Sequence, residues 1–450
     1  MENSCIGFGK LSSNHLYLLY HVIFRFLRFF VLSFSSIKEN IKFGLFLFQP
    51  EITKHTLIKL FYKYIGFIIF GKIFANYQKK NKNKNNKKIK VNNELIYNDK
   101  MGISSASLKR LFIIGVLYVV FEISIQISYS IGINDFDLWT FNIVFALLFM
   151  SCFFSIHIYN HQKYSLVFIV LIDLVLSILA GFFPIKNNSY NIVESLCNNK
   201  LYSIAFFIFY IINSLIISFS RVLGKVLMEL KFISSYSIII IIGIIGFILT
   251  SILLAIVSIF KCGSSEKYEI ICSLNEINTK NNMTLNYTYY DSIPLYFKNL
   301  KNKKNLYFYI EVIIINPLYT IISFLEFNYE LIIIYYLNPI YILICDSIYF
   351  GSISLLSFLL NYKGNKNVKS ILNLFANLIA LFGYSIYLEI IELKFCKLNN
   401  NLRKNIIERS RIDSEIEING NDYENSEDDE DEVKDKENHA EIELIKRNEE

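Results

Sequence analysis

Between residues 111 and 393 the chain alternates long apolar runs with short polar stretches, a pattern with neither the two-residue period of strands nor the narrow stripe of soluble helices. A helix that crosses a bilayer core needs about 20 mostly apolar residues. Eight segments meet that length: 111–133, 138–159, 164–183, 201–220, 236–260, 306–327, 331–360 and 368–393. Two earlier segments, 15–35 and 56–76, are weaker, because the first carries His21, Arg25 and Arg28 and the second Lys59, Lys63 and Lys72. Such charges either snorkel from spanning helices or line the polar face of interfacial ones. Read as spans, they bring the total to ten. The expected fold is therefore an all-α polytopic integral membrane protein, a helical bundle of about ten transmembrane helices (eight strong, two weak).

The loops set an orientation. Lys79, Lys80, Lys82, Lys84, Lys87, Lys88 and Lys90 precede the first strong helix, and Lys109 and Arg110 stand at its boundary. The positive-inside rule makes that segment cytoplasmic. Counting forward puts both termini in the cytoplasm and the loops 185–200 and 261–305 outside. The chain then divides into an N-terminal segment 1–76, a Lys/Asn-rich cytoplasmic linker 77–106, a transmembrane bundle 107–393 and a tail 394–450. The tail is basic beside the membrane and acidic further on, and its composition predicts disorder and a place for a cytoplasmic partner. Sequons occur at Asn187, Asn282 and Asn286, all in the two long outer loops, which makes them glycosylation candidates. Cys262 and Cys272 share the second of those loops and are the expected disulfide pair. No cleavable signal peptide is expected, since Arg25 and Arg28 interrupt the first apolar run.

Composition agrees with the pattern and narrows the function classes. Hydrophobic residues make up 53% of the 450, and charged ones 19%. A soluble chain averages about 45–50% and roughly 25%. The mean hydropathy is +0.38. The net charge of +6 is the sum of a Lys-rich block and an acidic tail, so it builds no nucleic-acid surface. High Phe, Tyr, Ile, Asn and Lys also follow from a biased genome, so position carries more weight than composition.

Ionisable groups in the middle of a span cost roughly 2.5–3.5 kcal/mol each and usually face a bundle interior or water. Glu122, Gln126 and Tyr129 share one helix face at i, i+4 and i+7, and Asp173, Ser177 and Gly181 form a second polar stripe. Asn213, Glu311 and Asp346 lie within later spans. Together they suggest a hydrated, net-acidic path of the kind that takes a cation, an amine or a proton. The alternative is that each carboxylate is neutral or paired and fixes helix packing. Asn316 and Pro317 are echoed by Asn338 and Pro339, and each proline removes a backbone donor and ends or kinks a helix. Secondary transporters place binding sites at such interruptions. Gly243 and Gly246 read as a helix-packing surface. Residues 221–231, with Arg221, Lys225 and Lys231, read as a basic connector lying on anionic lipid.

Enzyme signatures fail on inspection. Gly66, Gly71 and Lys72 have phosphate-loop spacing, but Ile73 stands where a magnesium-binding hydroxyl is needed. His157 and His161 form a single H-x-x-x-H pair with no second box, so no metal and no cofactor is expected. The chain reads as a non-enzyme.

Ten helices over about residues 14–393, with both ends inside, resemble the drug/metabolite transporter superfamily in helix count, sidedness and length. The resemblance implies two inverted five-helix halves that rock about a central site to move a small metabolite. It carries no motif, so no family residue is transferred. The expected function is a multi-pass transporter of a small polar or cationic metabolite, proton- or ion-coupled. Glu122, Gln126, Asp173, Asn213, Glu311 and Asp346 are the candidate coupling groups. A receptor or sensor, or a scaffold with no substrate, are the alternatives. The partners expected are the lipid bilayer and a small solute, with no nucleic acid. The location is the plasma membrane or an endomembrane.

Overall fold

Residues 235–259 contain no charged side chain and fold as one helix, begun by Ser234, whose hydroxyl oxygen accepts a hydrogen bond of 3.2 Å from the Ser237 amide. The computed structural model describes residues 6–8, 16–36, 56–86, 105–130, 140–154, 162–165, 175, 200–229, 231, 233–260, 274–280, 283–289, 291–301, 310–360, 368–387, 389 and 391–393. Helices α1 (Leu16–Ser36), α2 (Thr56–Asn86), α3 (Ser105–Ser130) and α4 (Thr140–Phe154) come first. They are followed by α5 (Lys200–Glu229), α6 (Ser235–Ile259) and the short α7 (Ile293–Lys301). Last come α8 (Asn316–Tyr336), α9 (Pro339–Leu360) and α10 (Val368–Tyr387). Strands are confined to two small antiparallel pairs, β1 (Ile6–Phe8) with β4 (Ile391–Leu393), and β2 (Leu274–Lys280) with β3 (Met283–Tyr289). The described chain is thus predominantly helical.

Helix α1 shows what solvent the bundle is built for. Its His21, Arg25 and Arg28 point into the protein, while Leu16, Leu19, Ile23, Leu27 and Phe30 face outward. Water would favour the reverse arrangement. Helix α6 presents a second outward stripe, Ile244, Ile248, Ile252 and Ile256, at four-residue spacing. Among the described residues three helical stretches are long and apolar enough to cross a membrane: Ile208–Glu229, Ser235–Ile259 and Val312–Tyr336. The chain is built for membrane association.

Glycines set the closest helix contact. A Cβ on Gly243 would lie 3.1 Å from the Ile68 amide nitrogen, one on Gly71 would lie 2.9 Å from Ile240, and one on Gly246 would sit 2.6 Å from Tyr64 Cε1. Moving up α2 therefore means moving down α6, an antiparallel pair held at the distance that missing side chains permit. Aromatic contacts orient α1 and α8 the same way: Tyr17 stacks on Tyr336, Phe24 on Tyr329, and Val31 packs with Tyr319. The early helices thus pack within the bundle, and α1 matches its expected bounds within a residue or two.

The β1–β4 pairing, with Ile6 opposite Leu393, brings the segments flanking the bundle to one end of it. The C-terminal end of α2 and the N-terminal ends of α6 and α9 lie there too. At the opposite end, residues 291–301 fasten the bundle. Asp291 Oδ2 accepts hydrogen bonds from the Leu57 (3.0 Å) and Ile58 (3.2 Å) amides, capping α2 from a segment more than two hundred residues away. Tyr296 Oη sits 3.4 Å from Tyr62 Oη and accepts from Asn316 Nδ2 at 3.2 Å. Asp291→Ala leaves two buried amides without an acceptor and is expected to lower stability by about 1–2 kcal/mol. Thermal unfolding in detergent checks this; a melting point equal to that of the parent contradicts it.

Four boundaries differ from the sequence reading. Helix α2 continues to Asn86, through Lys79–Lys84 of the tract read as a flexible linker. Helix α5 runs on to Glu229, so Arg221 and Lys225 belong to a packed helix and not to a surface connector. The span read as 331–360 is split, because Pro339 has no amide hydrogen and disfavours helical geometry at Asn338. Leu331–Tyr336 then closes α8, and Asn338 Oδ1 accepts from the Ile340 amide at 3.1 Å to start α9. The loop 261–305, expected outside and assigned no elements in that reading, contains the β2–β3 hairpin and α7.

Candidate functional site

Three helices carry charged stripes at helical spacing. Helix α1 contributes His21, Arg25 and Arg28; α5 contributes Arg221, Lys225 and Glu229; α8 contributes Glu326 and Glu330. Steps of three or four residues put each set on one face, and the fold turns those faces toward each other. Arg25 pairs with Asp346 of α9, and its guanidinium lies 4.6 Å from the Tyr349 ring centre. Arg28 Nε is 3.0 Å from Glu326 Oε2. Arg221 Nε donates to Glu330 Oε1 at 2.8 Å, and its Nη1 lies 3.7 Å from Asp346 Oδ2. His21 Nδ1 is 3.1 Å from the Glu326 carbonyl oxygen. Lys225 holds Glu229 at 2.5 Å and donates to the Leu337 carbonyl oxygen at 3.2 Å, closing the exposed end of α8.

A second cluster lies on α2 and α3. Lys63 Nζ donates to Glu122 Oε2 at 2.8 Å, and Tyr118 Oη donates to Glu122 Oε1 at 3.1 Å. Lys63 also lies 5.6 Å and 5.7 Å from the Phe67 and Tyr118 ring centres. Lys63 is only 1% exposed and Asp346 likewise 1%. Burial of this depth in an apolar bundle is tolerated only because each charge is compensated.

The expected net-acidic path draws on Asp173 and on the side chains of Gln126 and Glu311, which lie outside the described set; the described charges are paired. The pairs set Arg25, Arg28, Lys63, Arg221 and Lys225 against Glu122, Glu229, Glu326, Glu330 and Asp346, a balanced set. Cations that the sequence reading assigned to snorkelling or to the lipid surface are the partners of its carboxylates.

Of the candidate coupling residues, Asp346 sits at the centre of the network and Glu122 at the second cluster. Asn213 is buried on α5 two turns before Arg221, and its Nδ2 has no hydrogen-bond partner. Gln126 lies one turn beyond Glu122 on α3, and Glu311 belongs to the π-helical turn Glu311–Ile315. The side chains of Gln126 and Glu311 fall outside the described set, and Asp173 lies outside the described residues altogether. Asn316 and Pro317 do not end a helix. Pro317 stands in the first turn of α8, directly after the π turn, where a missing amide hydrogen is tolerated. Asn338 and Pro339 do mark a break, between α8 and α9 and not within a span. Asn286 lies on β3 opposite Ile277. Asn187, Asn282, Cys262 and Cys272 lie outside the described residues, as does the acidic tail.

The sequence reading missed Glu326, Glu330, Arg25, Arg28 and Arg221 as partners. The available signal was complementarity: acidic and basic stripes of equal spacing, on separate apolar segments, have to meet inside a bundle. No protein-family model matches the chain, and no curated protein matches it.

Proposed function

We propose that the chain is a multi-pass membrane transporter for a small polar solute, working by alternating access without catalysing a chemical reaction. About ten spans with both termini cytoplasmic fit this reading, because the Lys-rich end of α2 lies at the end of the bundle where β1 and β4 pair. The observation that carries it is the Arg25–Asp346–Arg221–Glu330 chain of ion pairs, which ties α1, α9, α5 and α8 together in the bundle interior. Intramembrane ionisable groups of this kind mark solute and ion pathways. Asp346 is shared between guanidiniums of two different helices, so exchanging its partner changes which helices are held together. Such an exchange is a two-state element that a bound solute can bias.

The test is flux. The purified full chain in liposomes should move one class of small polar solute from a panel of amino acids, amines, organic acids and phosphate faster than protein-free vesicles. Folded protein that moves none of them contradicts the proposal. A scaffold is the second reading, favoured by the charge balance itself, since a fully compensated network also fixes helix packing. A scaffold tolerates Asp346→Asn with no functional loss; for a transporter, that variant should slow flux at least tenfold.

A further inference from the structure

Helix α2 runs on past its neighbour α6. Phe74 stacks on Tyr236, the second residue of α6, at 6.1 Å, which marks the level at which α6 begins. From there α2 continues to Asn86, about 18 Å further at 1.5 Å per residue. Asn76, Tyr77, Gln78 and Lys80 are all exposed, and steps of about 100° point them around most of the helix. Lys79, Lys80, Lys82 and Lys84 belong to this extension, and α2 contains no carboxylate at all. Lys79 and Lys82 are three residues apart, and Lys80 and Lys84 four, so each pair shares a face and repels. Asn81, Asn83, Asn85 and Asn86 are weak helix formers. The helix dipole favours a cation only in the last turn, where Lys84 stands. An anion lying along the extension stabilises a helix of this make-up.

The same chain carries such an anion from the same end of the bundle. Strand β4 closes at Leu393, opposite Ile6 of β1, at the end where α2 finishes. From Asp413 to Glu432 the sequence holds Asp413, Glu415, Glu417, Asp422, Glu424 and the unbroken run Glu427–Glu432, without one Lys or Arg. Residues 413–432 lie outside the described residues; their charge and their distance along the chain are what count. Twenty residues separate Leu393 from Asp413. A chain of that length reaches about 70 Å when extended, several times the length of the α2 extension. The tether makes the encounter intramolecular, with an effective concentration on the order of millimolar. We infer that the Lys79–Lys84 stretch of α2 is the docking surface for the acidic segment 413–432 of the chain's own tail. The inference is independent of what the bundle moves.

Anionic lipid is the competing occupant of lysines beside a membrane, but its attraction fades within a Debye length, about 8 Å at physiological salt. Lys82 and Lys84 stand about 12 and about 15 Å beyond Phe74 along the helix. That distance favours an anion able to follow the helix outward, and the run Glu427–Glu432 alone outnumbers these lysines.

The test uses the full chain, mixed from isotope-labelled and unlabelled protein, in nanodiscs of neutral phosphatidylcholine and in nanodiscs rich in phosphatidylserine. A zero-length carbodiimide joins amines to carboxylates in contact, and mass spectrometry identifies the joined peptides. The expected links run from Lys79, Lys80, Lys82 or Lys84 to residues 413–432, within one isotope form and in both kinds of disc. They should weaken at least about fivefold when salt rises from about 0.1 M to about 1 M. Links found only in neutral discs give the lysines to lipid and overturn the inference. Links that join the two isotope forms give them to a second copy and overturn it as well, and so does the absence of any link. A second readout needs no chemistry at the lysines. With Glu427, Asp428, Asp429, Glu430, Asp431 and Glu432 exchanged for the matching amides, trypsin should cut after Lys80, Lys82 and Lys84 at least about fivefold faster than in the parent. An unchanged cleavage rate overturns the docking.

Discussion

Lys63→Met is expected to destabilise the bundle by about 3–5 kcal/mol, because it strands the Glu122 carboxylate in an apolar interior. Lys63 is the cation 2.8 Å from Glu122 Oε2, and after its loss, among the described residues, the Tyr118 hydroxyl is the donor left to that carboxylate. The hydrophobic substitution keeps most of the side-chain volume, so packing alone costs little. Lys63→Met combined with Glu122→Gln removes both charges and should recover most of the loss. Unfolding in denaturing detergent, measured on the parent, each single variant and the double variant, reads the coupling directly. Equal destabilisation by the single and the double variant would show that the pair is not coupled.

The glycine seam should give an effect of similar size by a different route. A Cβ at position 246 falls 2.6 Å from Tyr64 Cε1, and the Tyr64 ring is fully buried against Phe67. Gly246→Ile therefore has to push α2 and α6 apart, at a cost of about 1–3 kcal/mol or more. Gly224 of α5 is the built-in contrast, since a Cβ there meets nothing within 4 Å. Gly224→Ala should raise stability by about 0.5–1 kcal/mol through reduced freedom of the unfolded chain. Thermal unfolding of the two variants side by side checks both signs; a stable Gly246→Ile protein would mean that the α2–α6 seam is misplaced.

What the sequence revealed and what it hid have the same physical origin. Apolar length is a local property, so the segments that became α3, α5, α6 and α8 could be recognised one at a time. The Gly243 and Gly246 surface was legible too, because side-chain size acts at the contact itself. Charge pairing is non-local. Arg25 and Asp346 are separated by more than three hundred residues, and nothing near either one identifies the other. Taken alone, Arg25 and Arg28 argued for a marginal span and Glu122 and Asp346 for an acidic path; taken together, they cancel. Helix ends were obscured for a related reason. Pro339 was visible, but the apolar run continues across it, so hydropathy assigned Leu331–Tyr336 to the wrong side of the break. The Lys-rich end of α2 offered no apolar signal from which its continuation to Asn86 could be read.

The measurement that bears most directly on the network as a transport centre is a charge swap read on two scales. Arg221→Glu and Glu330→Arg each leave like charges facing one another, and each should lower both stability and solute flux. Made together, they restore an ion pair between α5 and α8, but they take the guanidinium away from its place on α5, 3.7 Å from Asp346 Oδ2. The swapped protein is expected to regain most of its melting temperature, while flux in liposomes stays at least tenfold below that of the parent. Flux that returns to the parent level together with stability would contradict the account and leave the network as packing alone.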